Sequence, residues 1–67
     1  MEISARNKLT GTVTSVRLDD VMAEVVLDVG GQEVVAAITR RSVERLGLKV
    51  GDRAVAIIKA TEVMIGK

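Results

Sequence analysis

Apolar and polar positions alternate along much of the chain, with the period of two expected of strands that turn one face inward. The clearest case is Val21, Ala23, Val25, Leu27 and Val29, which alternate with Met22, Glu24, Val26 and Asp28. Gly30-Gly31 follows as a tight two-residue hairpin turn, a conformation that suits glycine. The next strand, Gln32–Thr39, carries Val34, Val35, Ala36, Ala37 and Ile38 and is apolar on both faces. A small barrel leaves one of those faces in water. The pattern reads either as β-propensity with small-residue filler or as a contact between subunits. Ahead of this hairpin a strand is expected over about 3–18. Leu9, Gly11 and Val13 share one parity there, and Val16 and Leu18 share the other. The switch near Thr14-Ser15 predicts a bulge or bend, a device strands use to turn a barrel corner. Asp19-Asp20 reads as the turn that follows.

One short helical signal stands out, with Ser42 as N-cap, Val43 and Leu46 at i, i+3, and Gly47 ending it. Residues 49–52 form a turn, 54–59 a fourth strand, and 61–65 a fifth with Val63 and Ile65 on one face. Five strands, with one short helix between the third and fourth, predict an all-β fold: a small OB-like five-stranded barrel in a single domain, 1–67.

Composition changes this picture in one respect. A chain of 67 residues buries only about 60% of the surface its unfolded form exposes, so it usually needs a staple. There are no cysteines and no histidines, which removes disulfides, thiolate metal sites and the commonest general base. Oligomerisation is the staple left, and it suits an apolar content of 48%. Ten Lys and Arg against nine Asp and Glu, with no aromatic residue, argue against a nucleic-acid partner. No apolar run approaches the roughly 20 residues that span a bilayer, and no basic-then-apolar leader is visible, so no membrane partner and a cytoplasmic location are expected.

Enzymatic chemistry is hard to build from this residue set. The carboxylates Asp19, Asp20, Asp28, Asp52, Glu24 and Glu33 fall at turns or on the outer parity of strands, where solvation is their ordinary role. Asp19-Asp20 alone does not make a metal site. Met1, Met22 and Met64 read as gap-filling core or interface residues rather than ligands. Arg40, Arg41 and Arg45 read as a solvated helix face, with Arg45 near the helix C-terminus. Ser4 and Arg6, two apart in an extended segment and followed by Asn7, set a hydroxyl and a guanidinium on one side, a compact donor set suited to an oxyanion. Lys59 closes the fourth strand before Ala60-Thr61, where small residues let backbone N–H groups approach a ligand. One Arg and one Lys would neutralise a dianion. Most such side chains are simply solvated, so composition alone leaves Arg6 and Lys59 as surface charges.

Ser4-Ala5-Arg6-Asn7-Lys8-Leu9-Thr10-Gly11 resembles the segment that opens the molbindins, the molybdate-binding domains of Mop or TOBE type. Ile58-Lys59-Ala60-Thr61-Glu62-Val63-Met64-Ile65 is similar to the family's closing strand, and Ala23–Leu27 and Ser42–Gly47 also stand where the family has them. The resemblance spans essentially the whole chain. It implies an OB-like fold, a homo-oligomer assembled as a hexamer (a trimer of dimers), and molybdate or tungstate bound at subunit interfaces without an organic cofactor. Carried over, Ser4, Ala5, Arg6 and Asn7 would donate from one subunit, and Lys59, Ala60 and Thr61 from its neighbour. Where some relatives have Ser after the lysine this chain has Ala60, so one hydroxyl donor is lost. The expected function is intracellular storage, buffering or homeostasis of the oxyanion, with no enzymatic activity. The alternatives are an accessory or regulatory oxyanion-sensing module, or a non-catalytic OB-like assembly domain. A motif starting at residue 4 and a last strand ending near residue 65 lead us to expect a free-standing protein.

Overall fold

A computed structural model describes residues 3–67; Met1 lies outside them. Strand β1 (Asn7–Leu18) leads to β2 (Met22–Val29), β3 (Gln32–Thr39), helix α1 (Arg40–Leu46), β4 (Arg53–Ile58) and a single 3-10 turn, Ala60–Glu62. The four strands form one antiparallel sheet in the order β3-β2-β1-β4. The fold is all-β and OB-like, with its helix between the third and fourth strands as expected.

β1 is the spine. Its first half pairs with β4, from Asn7 against Ile58 to Thr12 against Arg53, and its second half pairs with β2. The changeover carries a register shift between Val13 and Ser15, so the predicted bulge at Thr14-Ser15 forms where one strand must serve two neighbours. Val13 is the most deeply buried side chain of the core, and its backbone N–H and C=O bond to Asp52 and Gly51 at 2.8 Å each. Gly11 sits at the same corner. A Cβ there would lie 2.5 Å from the Asp28 carbonyl oxygen, so this crossing of backbones excludes any side chain.

The alternation in β2 buries Ala23, Val25 and Leu27, which with Val13 and helix residue Val43 make the core. Val21 drops out of the expected inward set, since it precedes the strand and is exposed. Gly30 and Gly31 both take positive φ, 58° and 86°, and the Asp28 carboxylate accepts the Gly31 N–H at 3.1 Å. In β3, Val34, Ala36 and Ile38 lie against the core, while Val35 and Ala37 are exposed. Met22 and Met64 are exposed, so neither fills the core of this chain.

Three boundaries differ from expectation. The helix starts earlier, with Thr39 rather than Ser42 as its N-cap: the Thr39 hydroxyl accepts the Ser42 N–H at 3.1 Å. Thr39 can hold that place because β3 ends on it in extended conformation, whereas Ser42 lies within the helix. At the other end Gly47 turns left-handed, and the N–H groups of Gly47 and Leu48 reach back to Glu44 and Val43. The first strand begins at Asn7 rather than Ile3, because β4 ends at Ile58 and gives Ser4, Ala5 and Arg6 nothing to pair with. Finally, the fifth strand expected over 61–65 does not form within the chain, so the described sheet has four strands. After Ile58 the 3-10 turn, closed by Glu62 N–H to Lys59 O at 2.9 Å, carries the chain off the ladder, and a strand needs a partner edge to exist.

Candidate functional site

The β1/β4 register decides which polar groups meet. Its terminal pair is Asn7 with Ile58. The chain therefore enters the ladder through Ser4, Ala5 and Arg6 and leaves it through Lys59, Ala60 and Thr61, at the same end of the same two strands. Both candidate donor segments of one chain flank a single ladder end. The expectation that they come from different subunits was blind to this adjacency. It was visible in no local pattern, because it depends on which strands pair.

Ala5 is buried, while Ser4 and Arg6 on either side of it are exposed. The common exposure expected of Ser4 and Arg6 is thus present, although they lie outside any strand. Asn7 is half-buried as the first residue of β1; Lys59, Ala60 and Thr61 are exposed. The hydrogen bonds of the 3-10 turn use the N–H groups of Glu62 and Val63. Those of Ala60 and Thr61 have no partner among the described residues, as the leading N–H groups of a helical turn lack one by construction. Small side chains at both positions leave that backbone approachable.

The charges are uncommitted as well. The two ion pairs among the described residues join Arg40 to Glu44 at 3.4 Å and Lys49 to Asp52 at 3.6 Å, both on the surface. Neither involves Arg6 or Lys59. The outer cationic residues do find structural work elsewhere: Arg53 donates to the Thr12 hydroxyl at 2.9 Å, and Arg40 also reaches the Asp19 carbonyl. Among the described residues no group of three or more His, Cys, Asp or Glu is placed to hold a metal ion. What the ladder end offers is a hydroxyl, a guanidinium, an ammonium and free backbone N–H groups, a set of donors fit for an anion and unfit for a cation.

The single chain does not enclose this cluster. Its larger cleft is apolar and lies between β3 and β4, ending at Ile58 just short of Lys59. Sequence patterning did not reveal that cleft, although the alternation of Ala54, Ala56 and Ile58 opposite Val34, Ala36 and Ile38 encodes its two walls.

Residues 3–65 match the TOBE domain family, a span that contains both donor segments and the whole sheet. The chain belongs to the TOBE-domain family, in its molbindin branch. Molybdenum-pterin-binding protein 3 of Clostridium pasteurianum is 50% identical to this TOBE domain over 66 residues, 97% of either chain. Among solved structures, a molybdate-binding protein from Sporomusa ovata superposes with a TM-score of 0.96 at 49% identity, each chain covered completely. ModG, described as a cytoplasmic molybdate-binding protein and solved with molybdate bound, gives a TM-score of 0.91 at 46% identity. There the TOBE domain spans 96% of this chain and 46% of ModG. No helix of the domain is long and apolar enough to cross a membrane.

Proposed function

We propose that this TOBE domain binds molybdate or tungstate at the end of the β1/β4 ladder, as a non-catalytic cytoplasmic store or buffer of the oxyanion. The observation that carries the reading is the juxtaposition of Ser4–Asn7 with Lys59–Thr61 by the Asn7–Ile58 pair. Arg6 and Lys59 supply two positive charges for a dianion, the Ser4 hydroxyl a further donor, and the Ala60 and Thr61 backbone two N–H groups. Similarity over almost the full length to proteins described as molybdate-binding supports the choice of ligand.

The donors are exposed in one chain, and exposed donors are screened by water. Packing of subunits against one another in a homo-hexamer, a trimer of dimers, would dry the cluster and strengthen each charge-assisted hydrogen bond, worth about 1.5–3 kcal/mol. The adjacency of the donor segments leaves two arrangements for the partner: it closes a site built by one chain, or it contributes the second donor segment. Either way the cavity size selects molybdate over the smaller sulfate, since both are tetrahedral dianions.

Isothermal titration of the assembled protein with molybdate, tungstate, sulfate and phosphate tests the proposal. Saturable heat with molybdate or tungstate, weak or absent with phosphate, is expected. No heat with either metal oxyanion sinks it and leaves the assembly-domain reading, which the exposed Val21, Val35, Leu46 and Val50 would then carry.

A further inference from the structure

The most apolar opening in the molecule is the cleft between β3 and β4. Core residues Val25 and Leu27 form its floor, and Ala36, Ile38, Ala54 and Ala56 belong to its walls. Both walls are strand edges. The sheet order β3-β2-β1-β4 leaves one edge of β3 and one of β4 without a ladder partner among the described residues. An unpaired edge is a row of unmet N–H and C=O groups, a template for one more strand. The alanines of the walls keep the opening wide enough to admit side chains.

A matching strand exists and is unused. Past the 3-10 turn Val63 is extended, at φ −88° and ψ 127°. Val63, Met64 and Ile65 follow one another there, with Met64 and Ile65 92% and 90% exposed. Three consecutive large apolar side chains without cover, beside an apolar cleft without a filling, are complementary surfaces. In its own chain the segment is led away from the cleft by the turn at Ala60–Glu62.

We propose that residues 63–67 of a second copy of this chain enter the β3/β4 cleft as its fifth strand. The barrel is then closed by exchange: Val63 and Ile65 cover the floor at Val25 and Leu27, and the backbone of the incoming segment satisfies both free edges. Every copy carries both surfaces, so the exchange can be reciprocal and closes into a symmetric pair without leaving an edge exposed. This inference rests on the self-association proposed above and names its surface. It also ties assembly to the anion site, because the docked strand begins two residues after Thr61. A copy that docks has its donor turn held between two barrels.

Two full-length variants test it by sedimentation velocity. Val63→Asp/Ile65→Asp spoils the strand and keeps the cleft; Ala56→Arg blocks the cleft and keeps the strand. Each alone is expected to sediment as a smaller species than the unaltered protein, with apparent association weakened at least tenfold. An equimolar mixture is expected to regain a one-to-one pair, since one intact strand meets one intact cleft, and that recovery excludes misfolding as the cause. A strand variant that associates as the unaltered protein does overturns the exchange while leaving self-association standing. A mixture that regains no pair overturns it too. An unaltered protein that is monomeric at every concentration overturns self-association itself, and the exchange with it.

Discussion

The hairpin and helix over residues 22–48 and the two segments that flank the β1/β4 ladder end, 3–6 and 59–67, follow opposite rules. In the hairpin region the chain satisfies itself. Glycines with positive φ make the turn, the Asp28 carboxylate closes it, Thr39 caps the helix, Gly47 ends it, and Ala23, Val25, Leu27 and Val43 bury one another. At the ladder end the chain offers itself. Arg6 and Lys59 make no ion pair among the described residues, Ala60 and Thr61 hold unpaired N–H groups, and Met64 and Ile65 stand almost bare. The same 67 residues thus divide between a part that makes the fold and a part left unfinished for a ligand and another copy. Stability and binding should separate under mutation along that line.

The hardest blow to the self-sufficient region is Leu27→Ala. It empties a fully enclosed position in a thin core, and about 2–5 kcal/mol of stability should be lost. Urea denaturation followed by far-ultraviolet circular dichroism measures it, and a loss under about 1 kcal/mol would mean the core is not where the structure puts it. Arg6→Ala attacks the other region. Molybdate affinity should fall roughly ten- to hundredfold, the equivalent of one charge-assisted hydrogen bond, while the urea midpoint of the anion-free protein stays put. A titration that shows unaltered affinity would place the site elsewhere. Gly11→Ala tests the crossing of β1 over the end of β2: backbone must move to admit the methyl group, at a cost of about 1–3 kcal/mol. Thermal melts of the two proteins decide it, and equal midpoints would show that the close approach relaxes freely. The smallest effect is expected for Thr39→Ala, about 1 kcal/mol from the lost cap, with molybdate titration unchanged. If that substitution weakened anion binding, the two regions would be coupled and the division too sharp.

How far the chain could be understood before its folding was seen follows the same division. Period-two patterning found β2 and β3, paired glycines found their turn, and a parity switch found the bulge in β1, because each is set by neighbours a few residues apart. The helix cap was displaced by three residues, since Thr39 and Ser42 are both good caps and only the end of β3 chooses between them. The apolar alternation at 61–65 was read as a strand, and the segment is extended at Val63, but strand status depends on an edge that this chain does not present to it. Arg6 and Lys59 could be picked out by residue type and by family resemblance. Their nearness within one chain could not, because it is a product of the pairing of Asn7 with Ile58, some fifty residues apart along the backbone.

That pairing has a consequence for how such a domain can be used as a building part. Because the polypeptide comes into the sheet and goes out of it side by side, a host protein could receive the unit in a surface loop, or string two units in tandem, with only a short connector. Any such graft would place its joints beside Arg6 and Lys59. The anion would then report on, and stiffen, the very junction by which the module is attached.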